Sequence, residues 1–218
     1  MFKIGKTCIA AMLLTGGLLG STCSASAAVS IDGQVQAGGG PVAGWTVTLW
    51  AASAGEPRQL ARAKTGANGR FSLRANATPG SGVNLYLVAK GGKAAAGKGG
   101  DDNPAIACLT VLGNEPPARV TINEMTTVAS VWTHAQFLDG TAIKGHALGL
   151  KIAASNVPSF VDLQTGGWGT TIQDPLNSGQ TPTMANFATL ADVLSGCATR
   201  ATSDACASLF AAATGRDV

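Results

Sequence analysis

Residues 121–138, TINEMTTVASVWTHAQFL, separate two patterns, because short alternating segments precede them and helical periodicity follows. Thr121 and Glu124 have the spacing of a capping box, in which each side chain accepts a hydrogen bond from the other residue's backbone N–H. Apolar side chains then recur at three- and four-residue steps, which predicts an amphipathic helix with one buried face. They are Met125, Val128, Val131, Trp132, Ala135 and Leu138.

The N-terminus has the parts of a secretory signal peptide. Lys3 and Lys6 precede an apolar run over residues 9–19, and the small residues ASA follow before the expected cleavage near Ala27. We assign residues 1–27 to this signal, which predicts a protein that is secreted, periplasmic or on the cell surface. The apolar run is too short to span a bilayer, and no later stretch qualifies, so we expect no membrane span.

The charge is low. Charged residues make up 12% of the sequence, and removing the signal peptide with its two lysines lowers the formal net charge from +3 to +1. Such a balance is not typical of a nucleic-acid-binding protein. We therefore expect the partner to be an extracellular protein or a glycan, of unknown identity, and no nucleic acid.

The cysteines fit an exported chain. Cys197 and Cys206 lie nine positions apart between two helical patterns, which predicts a disulfide in an oxidising compartment. Cys108 lies in the apolar run AIACLTVL, so we favour a buried thiol over a reactive one. Cys23 could be a lipid-attachment site, but the residues before it, GST, are not typical of lipoproteins.

Residues 29–90 predict short strands of a β-sandwich. The period-2 alternation in WTVTLW puts Trp45, Val47 and Leu49 on one face and Thr46, Thr48 and Trp50 on the other. The predicted strands are VSIDGQV (29–35), PVAGWTVTLWA (41–51), QLARAKT (59–65), RFSLRAN (70–76) and NLYLVAK (84–90).

This half resembles the carboxypeptidase regulatory-like, or prealbumin-like, β-sandwich of bacterial surface proteins. The resemblance covers residues 29–92, and it rests on Gly33, Val35, Pro41, Val42, Gly44, Val47, Leu49, Thr65, Asn68, Gly69, Phe71 and Leu73. It implies an Ig-like antiparallel sandwich. Such modules act as spacers, as adhesin stalks or as sugar-binding domains, so the resemblance indicates a fold more than a function.

Two tryptophans are candidate ligand contacts. Trp50 faces away from the predicted core and could stack on a sugar, although a packing role is the more ordinary explanation. Trp168 lies in the unusual segment TGGWG, either as the contact residue of a binding loop or as a plug between helices, and we favour the plug. Trp45 is expected in the core.

Residues 93–103 are glycine-rich and polar, which predicts a linker or long loop. Asp101 and Asp102 could hold calcium, but capping of a helix that begins near Pro104 explains them better. The segments NPAIACLTVLG, VTINEMTTVASVW, SFVDLQTGGWG and MANFATLADVLSGC resemble a family of uncharacterised secreted bacterial proteins, in which a helical region follows a sandwich. That resemblance implies architecture and location, and no activity.

No catalytic, metal-binding or cofactor-binding motif is present, and we predict none of these sites. The two histidines, His134 and His146, accompany no nucleophile motif and no zinc-binding spacing. Paired carboxylates could hydrolyse glycosidic bonds. The acids of the helical part available for this are Glu124, Asp139, Asp162 and Asp174, each of which could equally be a cap or a surface group.

The sequence thus predicts an α+β protein in two parts: an Ig-like, prealbumin-like antiparallel sandwich over residues 28–92, followed by a small α-helical domain with one disulfide over residues 104–218. The expected function is that of a secreted, non-catalytic interaction or structural protein. The alternatives are a carbohydrate-binding module and a hydrolase acting on glycans.

Overall fold

The computed structural model describes residues 29–76, 82–94, 103 and 106–214. The predicted signal peptide, with Cys23, lies outside the described residues. Asp101, Asp102 and Pro104, together with most of the predicted linker, lie outside them as well.

The described residues form a mixed α/β structure in which most strands precede the helices. The strands are β1 (Val29–Ala37), β2 (Gly40–Ala43), β3 (Thr46–Ala52), β4 (Arg58–Lys64), β5 (Arg70–Ala75), β6 (Asn84–Lys90), β7 (Lys93–Ala94), β8 (Ala107–Gly113), β9 (Arg119–Ile122), β10 (Leu138–Asp139) and β11 (Ala142–Ile143). The helices are α1 (Glu124–His134), α2 (Ala147–Phe160), α3 (Thr183–Ala198) and α4 (Ala205–Ala213), with a 3₁₀ turn at Ala135–Phe137 and a π-helical turn at Leu176–Gln180.

Strand β1 organises the first sheet. It pairs antiparallel with β5 over residues 29–34, and parallel with β9 on its other side over residues 32–35. Its last residues pair with β2, which in turn pairs with β7. Alternation along β1 places Ile31 and Val35 in the core and Asp32 and Gln34 on the outer face.

The second sheet has the order β4-β3-β6-β8 and is antiparallel. Its inner face packs against the first sheet around an apolar core to which Trp45, Val47 and Leu49 contribute. Trp45 is buried, as the alternation predicts. Cys108, on β8, is fully buried in the same core, which confirms the prediction of a buried thiol.

The prediction of helix from Pro104 onward is wrong for residues 107–113 and 119–122, which form β8 and β9. Strand β8 is covered on both faces, because Cys108 and Leu112 join the core between the sheets while Leu109 and Val111 contact the helical side. A short continuous apolar run is typical of such a strand, and periodicity alone does not distinguish it from a buried helix.

Helices α1 and α2, with the first part of α3, form a third layer on the outer face of the second sheet. Helices α1 and α2 contact β8, α3 packs on α1, and together they enclose a second apolar core. Its main members are Tyr86, Val88, Leu109, Val111, Leu150, Val157 and Phe187. The predicted Ig-like sandwich followed by a helical domain is not confirmed, because β8 and β9 come from the predicted helical part and complete the two sheets.

Helix α1 has a capping box two residues beyond the predicted one. Asn123 is the N-cap: its side-chain oxygen accepts a hydrogen bond from the Thr126 N–H, and its own N–H donates to Thr126 Oγ1, both at 2.9 Å. Thr121 lies in β9 instead, where its hydroxyl donates to the Gln164 carbonyl at 2.7 Å. The capping chemistry was therefore predicted correctly and its residues were not.

The buried face of α1 also differs from the predicted apolar one. Val131 and Trp132 are 43% and 41% exposed. Thr126, Ser130 and His134, which recur at four-residue steps, are fully buried. The helix thus turns a polar stripe towards the sheet and leaves part of its apolar stripe on the surface.

The polar stripe pairs with the edge of the second sheet. Strand β8 is the last strand of that sheet, so one row of its N–H groups has no partner in β6. The Val111 N–H donates to Ser130 Oγ at 2.9 Å, and the Leu109 N–H donates to Thr127 Oγ1 at 3.3 Å. Hydroxyl groups of α1 therefore take the place of a further strand, which avoids unpaired buried N–H groups.

Cys197 and Cys206 lie at disulfide-bonding distance, with their Cα atoms 4.5 Å apart, as the sequence predicts. The bond joins the end of α3 to the start of α4. Cys197 is buried against the core between the two sheets, and the buried Asn103 amide donates to its carbonyl at 3.1 Å. The disulfide thus holds the last two helices at one end of that core.

Candidate ligand-binding cleft

Four aromatic rings from different elements meet beside α1. The Trp132 ring centroid lies 5.8 Å from that of Phe160 on α2 and 6.2 Å from that of Phe187 on α3. Phe187 is fully buried, and its ring lies 5.7 Å from Phe160 and 5.6 Å from Trp168. The cluster supports Trp132 from one side and leaves part of the indole open to solvent.

The orientation of Trp132 follows from the polar stripe of α1. Residue 132 lies about 200° around the helix axis from residues 130 and 134, since each residue advances about 100°. Because Ser130 and His134 face the sheet, Trp132 faces away from it. The tryptophan is therefore exposed as a consequence of how the helix pairs with β8.

A cleft of about 390 Å³ opens beside the Trp132 ring, between α1, α2 and the segment that precedes α3. Its size is within the range of small-molecule sites. None of the described residues that line it carries a formal charge. Besides the rings of Trp132 and Phe160, the lining includes Thr133, Asn156, Ser159, Asn177 and Thr183.

The polar groups of the cleft differ in how they are held. Asn156 and Ser159 lie three residues apart on α2 and therefore on the same face. Within the described part of the chain, neither side chain forms a hydrogen bond. Asn177 is fixed by a hydrogen bond from its amide to the Thr171 carbonyl at 2.9 Å. The cleft thus combines an aromatic platform with amide and hydroxyl groups that can pair with a ligand.

The two tryptophans predicted as ligand contacts lie outside this lining. Trp168 packs against Phe187 and pairs through its backbone with Val161, while it borders a separate depression of about 400 Å³. Trp50 is on the outer face of β3, partly buried, and stacks on Tyr86 with centroids 6.5 Å apart and planes at 17°. Both rings are therefore packed against another ring.

The TGGWG segment is anchored to the start of α1. The Asn123 amide donates to the Gly166 carbonyl at 2.9 Å. Gly166 has a φ of 72°, and a Cβ at this position would lie 2.5 Å from Asn123 Nδ2, so only glycine is accommodated without rearrangement. This anchoring holds the loop that carries Trp168 against the helical layer.

His134, the last residue of α1, is fully buried. Its Nδ1 lies 3.2 Å from the Ser130 carbonyl and 2.9 Å from Thr133 Oγ1, while its Nε2 has no hydrogen-bond partner within the described residues. Burial lowers its pKa to about 4, and the contact with the Ser130 carbonyl opposes this shift. The imidazole is therefore neutral at physiological pH. His134 is not among the described residues that line the cleft.

The acidic candidates have structural partners. Glu124 is buried, and its carboxylate accepts a hydrogen bond from the Gly38 N–H at 2.7 Å. Asp162 accepts from the Gln164 N–H at 2.7 Å, and Asp174 accepts from the Leu176 N–H at 3.0 Å. Asp139 is exposed and lies 3.7 Å from the Lys144 ammonium. None of these carboxylates lines the cleft.

The buried thiol of Cys108 is unreactive. Burial raises its pKa to about 12, which keeps it protonated at neutral pH. Elsewhere, the described residues contain no group of three or more His, Cys, Asp and Glu side chains that could hold a metal ion. No helix within the described ranges is long and apolar enough to cross a membrane.

Sequence reasoning missed Asn156, Ser159 and Asn177, because isolated amides and hydroxyls have no distinctive spacing. It also placed Trp132 in the core. The sequence does contain a signal against that placement: Thr126, Ser130 and His134 form a second stripe at helical spacing, and a polar stripe can be the buried one when a sheet edge needs partners.

The fold is that of a mixed α/β protein whose strands pair antiparallel, except for β1 and β9, which pair parallel. No family model and no curated protein matches the chain. Among solved structures, a crystal structure of a 9R-lipoxygenase from Cyanothece PCC8801 aligns at 15% identity with a TM-score of 0.25, over 42% of this chain and 16% of the lipoxygenase chain. A similarity this weak and partial defines neither the fold nor the activity of this chain.

Proposed function

We propose that this chain is an exported, non-catalytic interaction protein and that it binds a neutral carbohydrate in the Trp132 cleft. The observation that carries the proposal is the partly exposed indole of Trp132 beside a cleft of about 390 Å³ whose described lining is polar and uncharged. This assigns the ligand-contact role to Trp132 rather than to Trp50 or Trp168.

Carbohydrate suits this combination of groups. The apolar face of a pyranose ring packs on an aromatic ring, while its hydroxyls need both donors and acceptors. Asn156 offers both through its amide, and Ser159 offers both through its hydroxyl. The absence of charge from the described lining favours a neutral sugar, because an uncompensated carboxylate or phosphate would be desolvated there without a counter-charge.

A glycan hydrolase is the less supported alternative. Its two carboxylates would have to flank the scissile bond. Glu124 is instead buried with a backbone partner, and Asp162 and Asp174 accept hydrogen bonds from nearby backbone N–H groups. These contacts support a structural role for the acids and, with it, binding without turnover.

Export, surface location and family membership belong to the same proposal. The N-terminal sequence pattern supports export, and a disulfide between Cys197 and Cys206 is typical of an oxidising compartment. We also propose that residues 29–92 are a carboxypeptidase regulatory-like sandwich module, and that residues 104–214 belong to the secreted family that their motifs resemble.

The test is a glycan array probed with the mature chain, followed by calorimetric titration of any neutral oligosaccharide that binds. We expect Trp132→Ala to weaken binding about 30-fold or more, because removing a central aromatic anchor costs about 2 kcal/mol or more. Asn156→Ala should weaken it less. Phe210→Ala is the matched control, since Phe210 is 48% exposed on α4 and lies outside the cleft.

The proposal fails if the folded protein binds no neutral glycan, or if Trp132→Ala and Phe210→Ala bind a neutral glycan equally well. Release of shorter sugars from a bound glycan, abolished by Glu124→Gln, would move the function to the hydrolase class.

A further inference from the structure

The small net charge of the chain hides an uneven distribution. Residues 29–94 contain seven Lys and Arg against two Asp and Glu, a formal charge of +5. Residues 106–214 contain four against seven, a formal charge of −3. The strands of the first half are therefore basic, whereas the helical half, which contains the neutral cleft, is acidic.

Part of this positive charge converges on the outer face of the first sheet. In the register of β5, β1 and β9, Ser72, Asp32 and Arg119 form one cross-strand row. Arg70, Gln34 and Thr121 form the next row, two residues along. Residues two apart on a strand share a face, so both rows lie on the same surface.

These rows line an open depression of about 520 Å³. Lys64, at the end of β4, joins Arg70 and Arg119 in its lining, and all three side chains are exposed. Among the described residues, none of the three forms an ion pair. Asp32 is the one carboxylate in the described lining. The depression thus holds three cations against one acid, with hydroxyl and amide groups between them.

We propose that this depression binds an acidic polysaccharide, as a second site distinct from the neutral cleft. The carboxylate or sulfate of one sugar would be bound by Arg70, Arg119 and Lys64 through charge-assisted hydrogen bonds. Neighbouring sugar hydroxyls would donate to the Asp32 carboxylate and pair with Ser72. The arrangement matches a ligand that carries both anionic groups and hydroxyls.

Asp32 favours an acidic polysaccharide over other polyanionic ligands. It lies directly between Ser72 and Arg119 in the row, where a phosphate backbone would meet a like charge. A saccharide hydroxyl, in contrast, donates to it. An anionic lipid surface is also less suitable, because none of the exposed large apolar side chains among the described residues lies on β1, β5 or β9.

The experiment measures binding of the mature chain to polygalacturonate at low and physiological salt, with dextran as the uncharged polymer. We expect binding to polygalacturonate that weakens with salt, since the screening length is about 8 Å at physiological ionic strength. Arg70→Gln and Arg119→Gln should each weaken it about tenfold, a loss typical of a charge-assisted contact. Arg58→Gln is the matched control, because Arg58 is an exposed arginine of β4 outside the depression.

Asp32→Ala gives opposite results for the two kinds of recognition. Removing its charge should tighten any purely electrostatic contact with a polyanion. If sugar hydroxyls donate to Asp32, the variant should instead bind polygalacturonate several-fold more weakly, although it is more positive. Hydrogen exchange of the wild-type chain, measured with and without polygalacturonate, should show protection in β1, β5 and β9, and this readout needs no variant to fold.

Three results would overturn the proposal. The first is no binding of the folded wild-type chain to polygalacturonate at low salt. The second is an equal effect of Arg119→Gln and Arg58→Gln, or no protection in β1, β5 and β9. The third is tighter binding by Asp32→Ala together with a DNA oligonucleotide that binds at least as well as polygalacturonate, which would assign the surface to nucleic acid.

Discussion

The outer faces of the two sheets differ in what covers them. On the second sheet, Tyr86, Val88, Leu109 and Val111 point outward and are buried under helices. On β1 of the first sheet, the outward residues Ser30 and Asp32 are polar and open to solvent. The helices therefore pack where the outward residues of the strands are apolar. A domain boundary in the sequence does not decide their position.

A negative charge introduced on the outer face of each sheet should change the free energy of unfolding by very different amounts. Val111→Asp would bury a carboxylate beneath α1 and α2, and we expect a loss of about 3 to 5 kcal/mol in the free energy of unfolding. Ser30→Asp puts the group on the open face, opposite Arg74, where a change within about 0.5 kcal/mol is expected. Urea denaturation of both variants checks this, and equal losses would contradict the layered arrangement.

The disulfide between Cys197 and Cys206 joins the last two helices at one end of the core between the sheets. Replacing Cys197 and Cys206 with alanine together should lower the free energy of unfolding by about 2 to 3 kcal/mol, from the entropy of a nine-residue separation. Thermal unfolding of the double variant and of the oxidised wild type measures it. If reduction of the wild type left its melting temperature unchanged, the link would contribute nothing to stability.

The buried imidazole of His134 should make the protein sensitive to acid. The folded pKa of His134, about 4, lies below the unfolded value near 6.5, so the unfolded chain binds more protons between these pH values. Stability is therefore full above about pH 6.5 and falls towards pH 4, by about 3 kcal/mol. His134→Leu should flatten this part of the stability profile, and an unchanged slope would argue against a buried neutral imidazole.

Removing a hydroxyl of α1 should cost more stability when that hydroxyl accepts a hydrogen bond from the edge strand β8. Ser130→Ala leaves the buried Val111 N–H without its partner, which should cost about 1 to 3 kcal/mol. Thr133→Ala removes a hydroxyl that bonds within its own helix, to the Ala129 carbonyl, and should cost less. Denaturant midpoints compare the two, and the reverse order would show that α1 does not complete the edge of β8.

Much of the strand pattern was predictable, because alternation in β1, β3 and β5 reports one covered and one open face. Strand β8 was not, since ACLTVLG is apolar on both faces and has the periodicity of neither a strand nor a helix. The disulfide and the buried thiol of Cys108 followed from spacing and apolar context.

The cleft was less predictable than the fold. Trp132 is exposed because the polar stripe of α1 faces the sheet. That stripe faces the sheet because its hydroxyls pair with free N–H groups of β8, a strand that the sequence did not predict. The basic depression on the first sheet could not be predicted from the net charge. A total of +3 does not show that positive charges are concentrated in the first half and negative charges in the second.

Sugar binding at Trp132 is tested by an NMR titration of the protein with a neutral oligosaccharide, following the indole N–H resonances of its four tryptophans. Trp132→Phe assigns the resonance of Trp132. We expect this resonance to shift on binding while that of the buried Trp45 stays in place. A bound neutral sugar that shifts the Trp50 resonance and leaves that of Trp132 unmoved would contradict it.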